Sequence, residues 1–294
     1  MENILEIKNL NKKYDDFALK DVSFSLPKGY VMGFVGENGS GKTTTIRSIL
    51  NMAKIDSGKI SVFGLDSVDD TIAIKEKSGV VFDSIYLAEH LNIIQIEQQL
   101  KPFYKDWDSK EFFSRIKEFD LPEKKKTGEF SKGMKMKLMI AIALSHKAEL
   151  IILDEPTSGL DPVARDELLD ILLEYIEDEN RGVLFSTHIT ADVERIADYV
   201  TILHDGKVWF TGEKDKLSEK YAVIKGDEND IPANLKEKLI GFHSYRNGFD
   251  AMLETAYLNE VPKSIEAEKA SIDEILIYIA KEDKNERHSK NNKV

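Results

Sequence analysis

Gly36-Glu37-Asn38-Gly39-Ser40-Gly41-Lys42-Thr43-Thr44 joins an apolar run, Val31-Met32-Gly33-Phe34-Val35, to a helix-like stretch from Thr44 to Leu50. A strand, a glycine-rich turn and a helix in that order predict a loop whose backbone N–H groups turn inward as an anion nest at a helix N-terminus. At this spacing Lys42 reaches the β- and γ-phosphates of a nucleoside triphosphate, and the Thr43 hydroxyl offers an oxygen to Mg²⁺. A glycine turn ahead of an ordinary helix satisfies the bare pattern too, but the flanking strand and helix favour the phosphate cradle.

Working outward, short apolar runs recur at Val80-Val81-Phe82, Leu150-Ile151-Ile152-Leu153 and Val183-Leu184-Phe185, with longer helical patterns between them. That alternation predicts an α/β core with a largely parallel sheet. Ahead of it, Leu5, Ile7, Val22, Phe24 and Leu26 alternate with polar residues around an Asp15-Asp16 turn, and residues 1 to about 30 read as antiparallel strands. From about 84 to 148 the pattern is helical, with Asp108 and Glu111 at capping-box spacing, and is expected to form an inserted helical subdomain. Residues 215–280 read as a small α+β extension, with strands at Tyr221–Ile224 and Ala251–Leu253 and a Ser271/Glu274-capped helix carrying Ile272, Ile275, Leu276 and Ile279 on one face. The basic and acidic residues from 281 to 294 read as a disordered tail.

Composition narrows the possibilities. The 294 residues are 41% apolar, with no run approaching the roughly 20 apolar residues that a membrane span needs. Met1-Glu2-Asn3-Ile4-Leu5-Glu6 lacks the basic start of a secretory signal, so a cytoplasmic location is expected. No cysteine is present and the six histidines are scattered, which excludes disulfides and leaves Mg²⁺ as the one metal expected. A net charge of −12 opposes general association with nucleic acid.

A second constellation sits at Leu150-Ile151-Ile152-Leu153-Asp154-Glu155, where an apolar strand ends in two carboxylates at the sheet edge that collects ligands. Asp154 is placed to serve Mg²⁺, and Glu155 to polarise a water attacking the γ-phosphate. Ser158-Gly159-Leu160-Asp161 then leads into Pro162, with Asp161 as N-cap and Pro162 at the first helical position, and His188 follows Phe185-Ser186-Thr187.

At this point residues 2–214 resemble the nucleotide-binding subunits of ABC transporters. Gly36 to Thr44 resembles Walker A, Leu150 to Glu155 resembles Walker B, Ser158 to Asp161 the D-loop, and His188 the switch histidine. The resemblance implies a P-loop NTPase (RecA-like) core, ATP as the nucleotide, adenine stacking on Tyr14, and γ-phosphate contact by His188. It further implies a homodimer, or a heterodimer with a related subunit, around two ATP molecules. Ser131 and Gly133 would then act across the dimer, which would drive a separate transmembrane permease from the inner face of the membrane.

Two positions depart from the family pattern. Phe130-Ser131-Lys132-Gly133-Met134 stands where the family usually has Leu-Ser-Gly-Gly-Gln, and Lys132 puts a cation in a first helical turn, as if an anion docked there. Asp83 stands where the family usually has a glutamine, and as a hard oxygen ligand it is expected to approach Mg²⁺. Likeness to single-domain exporter ATPases implies export of drugs, antimicrobial peptides or amphipathic peptides. The alternative is a soluble ATPase of the same fold acting on ribosomes or chromosomes, though such proteins usually carry tandem ATPase units or a long coiled-coil insertion.

Overall fold

The computed structural model describes residues 2–83 and 88–291. The chain divides into two compact units between 211 and 212.

The first unit begins with an antiparallel sheet of order β2-β1-β4-β5, formed by β1 (Asn3–Lys13), β2 (Ala18–Pro27), β4 (Ser57–Val62) and β5 (Leu65–Asp66). Alternation decides its faces, burying Ile7 and Leu10 of β1 and Val22, Phe24 and Leu26 of β2, while Lys8 and Lys20 stay in solvent. The β1–β2 turn is closed by Tyr14 N–H donating to Phe17 C=O at 2.7 Å.

The second sheet runs β10-β9-β3-β8-β7-β6, from β3 (Tyr30–Val35), β6 (Ser78–Val81), β7 (Leu150–Asp154), β8 (Gly182–Thr187), β9 (Tyr199–His204) and β10 (Lys207–Glu213). The pairs β3–β8, β3–β9, β7–β8 and β6–β7 are parallel. Every residue of β7 and β8 is buried, as expected of strands covered on both faces. The register sets Val35 beside Thr187 and Asp154 beside Ser186, so three strand ends deliver the glycine loop, the acidic pair and His188 to one edge.

Helices α1 (Lys42–Ile49), α2 (Thr71–Glu76), α6 (Pro162–Tyr175) and α7 (Thr190–Ile196) belong to this α/β core, and α3 (Ile93–Leu100), α4 (Ser109–Glu118) and α5 (Lys132–Ser145) fill the expected helical insertion. Asp108 caps α4 by accepting from Lys110 N and Glu111 N, but the capping box is half-built. The Glu111 carboxylate is engaged by Arg115 Nε at 2.8 Å and Asp108 N donates to Ser145 C=O, so no reciprocal bond forms. A complete box occurs instead at Asn92 and Gln95, opening α3.

The second unit holds α8 (Lys214–Lys220), α9 (Ala233–Lys236) and a sheet of order β12-β13-β11-β14, from β11 (Tyr221–Gly226), β12 (Ile240–Tyr245), β13 (Gly248–Glu254) and β14 (Glu266–Lys269). Ile224, Leu235, Phe249, Ala251, Leu253 and Ile265 form its own core. Helix α10 (Ile272–Asn291) opens on a reciprocal Ser271/Glu274 box and buries Ile272, Ile275, Tyr278 and Ile279. It also runs on past Lys281, where the sequence reads as a disordered tail. Three polar residues at the start of that segment are tied to the sheet: Lys281 Nζ donates to Asp250 Oδ1 at 2.7 Å, Glu282 Oε2 accepts from Gly241 N at 2.5 Å, and Asn285 Nδ2 donates to Phe242 C=O at 2.9 Å.

Candidate functional site

Between β3 and α1 the loop turns on Gly39 (φ 85°) and Gly41 (φ 112°), backbone conformations that side chains disfavour. Gly36 is required by space, since a Cβ there would lie 2.3 Å from Leu203 C=O and 2.6 Å from Ser40 Oγ. Helix α1 starts from Gly41 with no side chain capping it, so the N–H groups of its first turn remain for an anion. Glu37, Asn38, Gly39 and Thr43 are exposed, Thr44 is half-buried, and Ser40 is buried. The Ser40 hydroxyl has no partner among the described residues. A cavity of about 450 Å³ opens here, lined by Asp16, Phe17, Asn38, Gly39, Gly41, Lys42, Thr43, Thr44 and Glu155.

Lys42 curls back over the loop, its Nζ donating to Gly36 C=O at 2.7 Å and to Glu37 C=O at 3.3 Å. The same ammonium lies 3.1 Å from Glu155 Oε1. That contact is one of charge without hydrogen-bond direction, and Oε1 is a buried acceptor with no directed donor.

Asp154 ends β7, buried, and its Oδ1 accepts from Ser186 Oγ at 2.6 Å. Glu155 follows at φ 51°, and its backbone N–H is held by Ser186 C=O and Oγ, both at 3.1 Å. Glu155 Oε2 meets His188 Nδ1 at 2.7 Å, and His188 N–H also points at it, 3.4 Å away. In the neutral tautomer that donates Nδ1–H to this carboxylate, Nε2 is left as an acceptor.

The structure thus brings Lys42, Glu155 and His188 into contact, and places Thr43 and Thr44 on the same cavity. Other expected residues are elsewhere. Tyr14 is exposed beneath Lys12, whose Nζ is 5.1 Å from the ring centroid, and the aromatic ring bordering the cavity is Phe17. Ser131 caps α5, its Oγ accepting from Met134 N at 3.2 Å, and Gly133 leaves room for Ala164 of α6, whose Cβ would lie 3.1 Å from an added methyl. Neither lines this cavity. The Asp83 carboxylate, expected to approach Mg²⁺, is taken by Lys132 Nζ at 2.6 Å. The two positions that depart from the family pattern therefore neutralise each other, and the anion beside Lys132 is a carboxylate of the same chain.

The sequence reading missed Ser186 and Phe17. Ser186 becomes visible only through the β7–β8 register, and Phe17 only through the turn that closes on Tyr14. Among the described residues no three His, Asp or Glu side chains cluster closely enough to hold a metal by themselves. Thr43 and Asp154 suit Mg²⁺ in another way, since this ion takes one or two protein oxygens and completes its shell with phosphate and water.

Comparison with known proteins agrees with this geometry. A family model described as ABC transporter matches residues 19–158. The chain is 31% identical over 261 residues to the bacitracin transport ATP-binding protein BcrA of Bacillus licheniformis, a match covering 86% of this chain and 85% of that one. It is 29% identical over 280 residues to the ABC transporter ATP-binding protein YtrB of Bacillus subtilis, covering 92% and 91%. A solved structure described as the ATP binding subunit of an ABC transporter superposes with a TM-score of 0.67 at 32% identity, over 73% of this chain and 91% of the other.

Proposed function

The chain belongs to the ABC transporter ATP-binding proteins, subunits that hydrolyse ATP to power transport, and on that premise we propose how its residues divide the work. The amides from Gly36 to Gly41 and the Lys42 ammonium hold the phosphates. Thr43 and Asp154 would hold Mg²⁺, which when bound would offset charge on the phosphate oxygens. Glu155 is the general base, and His188 orients the carboxylate through Nδ1 while its Nε2 meets the γ-phosphate or the water. The observation that carries this reading is Glu155 itself, held between Lys42 and His188 with a buried oxygen that lacks a directed donor. A water donating to Oε1 would be activated beside the ammonium that binds the phosphate.

Ser131 and Gly133 act on the nucleotide held by a second subunit, identical or related, so that two chains close around two ATP molecules. The permease they drive exports drugs, antimicrobial peptides or amphipathic peptides, a reading supported by the relative named for bacitracin transport. No described helix is long and apolar enough to cross a membrane. In this reading the membrane path belongs to a partner, with this chain on the inner face, as the relatives named as ATP-binding proteins of transporters support.

The decisive variant is Glu155→Gln. It should retain ATP, lose turnover by roughly 10²- to 10⁴-fold, and accumulate as a dimer on a sizing column in MgATP. Persistent monomer at saturating MgATP, with binding confirmed, would overturn the dimer. Affinity capture is expected to recover a multi-span membrane protein, and recovery of ribosomes alone would overturn the transport partner.

A further inference from the structure

Asp192 belongs to none of the motifs read in the sequence, yet it is completely buried in the first turn of α7. Its Oδ2 accepts from Thr157 Oγ1 at 2.6 Å and its Oδ1 from Arg165 Nε at 2.5 Å. Thr157 is also buried and stands two residues after Glu155, in the turn where Ser158 N–H donates to Glu155 C=O. Arg165 sits in the first turns of α6, where its N–H donates to the C=O of the cap residue Asp161. One carboxylate thus fastens the turn after Glu155, the helix after Asp161 and the helix after His188.

A buried carboxylate is costly unless it is paired and fully hydrogen-bonded, and an apolar side chain would fill the same space without that cost. What the charge provides here is geometry. A closed circuit runs from Glu155 along the chain to Thr157, across to Asp192, back along the chain to His188, and through Nδ1 to Glu155 at 2.7 Å. Glu155 needs holding, because a non-glycine residue at φ 51° persists only where its surroundings over-determine it. Ser186 holds its backbone from the strand side. The Thr157–Asp192 bond holds the chain that leaves it.

We propose that Asp192 is a positioning residue for ATP hydrolysis: through Thr157 it sets the Glu155 turn against His188, so that one carboxylate oxygen meets Nδ1 and the other faces Lys42. Arg165 holds the other carboxylate oxygen of Asp192 and so fixes its direction. The inference rests on Glu155 being the base.

The test uses the full chain with MgATP and compares Thr157→Val, which keeps the shape and removes the hydroxyl, with Thr157→Ser, which keeps the hydroxyl. In Thr157→Val kcat should fall roughly ten- to a hundredfold, while KM and the affinity for a non-hydrolysable ATP analogue stay within about twofold. Thr157→Ser should recover most of the loss. Arg165→Gln, nearer the surface, should show the same split more weakly, and serves if Thr157→Val does not fold. A kcat within twofold of wild type in Thr157→Val or Arg165→Gln overturns the proposal, as does a parallel loss of affinity and turnover that Thr157→Ser fails to restore. Full turnover in Glu155→Gln would remove the base and the positioning with it. Loss of turnover in Glu155→Gln beside an unimpaired Thr157→Val would remove the positioning alone.

Discussion

Glu155, the proposed base, should also oppose the binding of the nucleotide. Its Oε1 lies 3.1 Å from Lys42 Nζ, and the two side chains are only 15% and 6% exposed. A phosphate arriving at Lys42 must share or displace that carboxylate and then sit beside its negative charge. Unit charges at this separation attract by about 5 kcal/mol at an effective dielectric constant near 20. Desolvation of both groups offsets most of that gross figure. A net of about 1.4–2.7 kcal/mol remains as the opposition to binding, equivalent to roughly ten- to a hundredfold in affinity. Glu155→Gln keeps the shape and removes the charge, so it should tighten binding of a non-hydrolysable triphosphate by that factor. The assay is an equilibrium titration of a fluorescent analogue at protein concentrations low enough that subunit association adds nothing. Because the pair is mostly buried, the gain should change little with added salt, unlike that of a surface pair. An affinity equal to wild type within twofold, or a weaker one, would refute the competition.

Gly36→Ala should abolish triphosphate binding and lower stability by about 1–3 kcal/mol, because the new methyl would lie 2.3 Å from Leu203 C=O; melting temperature and the same titration read both effects. Asp83→Ala and Lys132→Ala should show a coupling of only about 0.2–1 kcal/mol in a double-mutant cycle by urea unfolding, since the pair is 51% and 35% exposed. Nucleotide affinity that depends on Mg²⁺ should survive Asp83→Ala, and its loss would return Asp83 to the metal. In the second unit, burial pushes the Asp250 carboxyl up, but the Lys281 hydrogen bond and charge outweigh it and hold the group below its ordinary value. A depressed folded pKa contributes stability above the ordinary unfolded value, about 4, and loses it as pH falls through the folded one. Protection of the Ile224 and Leu253 amides against hydrogen exchange, taken relative to the intrinsic rate at each pH, should therefore fall below about pH 4, and Asp250→Asn should be less protected at pH 7 and less sensitive to acid.

The features legible in the sequence are those written in a few consecutive residues. The glycine loop, the strand ending in Asp154-Glu155, the Asp161 cap before Pro162 and the Ser271/Glu274 box each depend on a local spacing, and each occurs at the expected place. The missed features are pairings between distant segments. Ser186 reaches Asp154 because β7 and β8 run parallel in one register. Lys132 meets Asp83, 49 residues away, and Thr157 meets Asp192, 35 residues away, because of how strand ends and helices are brought together. No periodicity encodes such contacts. Local composition also misled just past Lys281, where the side chains of Lys281, Glu282 and Asn285, which read as solvated, bond to the sheet of their own unit.

The left-handed backbone at Glu155 sets a trap for protein engineering. Glycine would relieve that strain while taking the carboxylate away from Lys42 and His188, so a selection for thermal tolerance alone would admit it wherever the relief outweighs the lost contacts. Glutamate and glycine codons differ by a single nucleotide. On the proposed role of Glu155, the glycine descendant would bind its nucleotide and leave it intact, so a library of this chain has to be screened for turnover and heat resistance together.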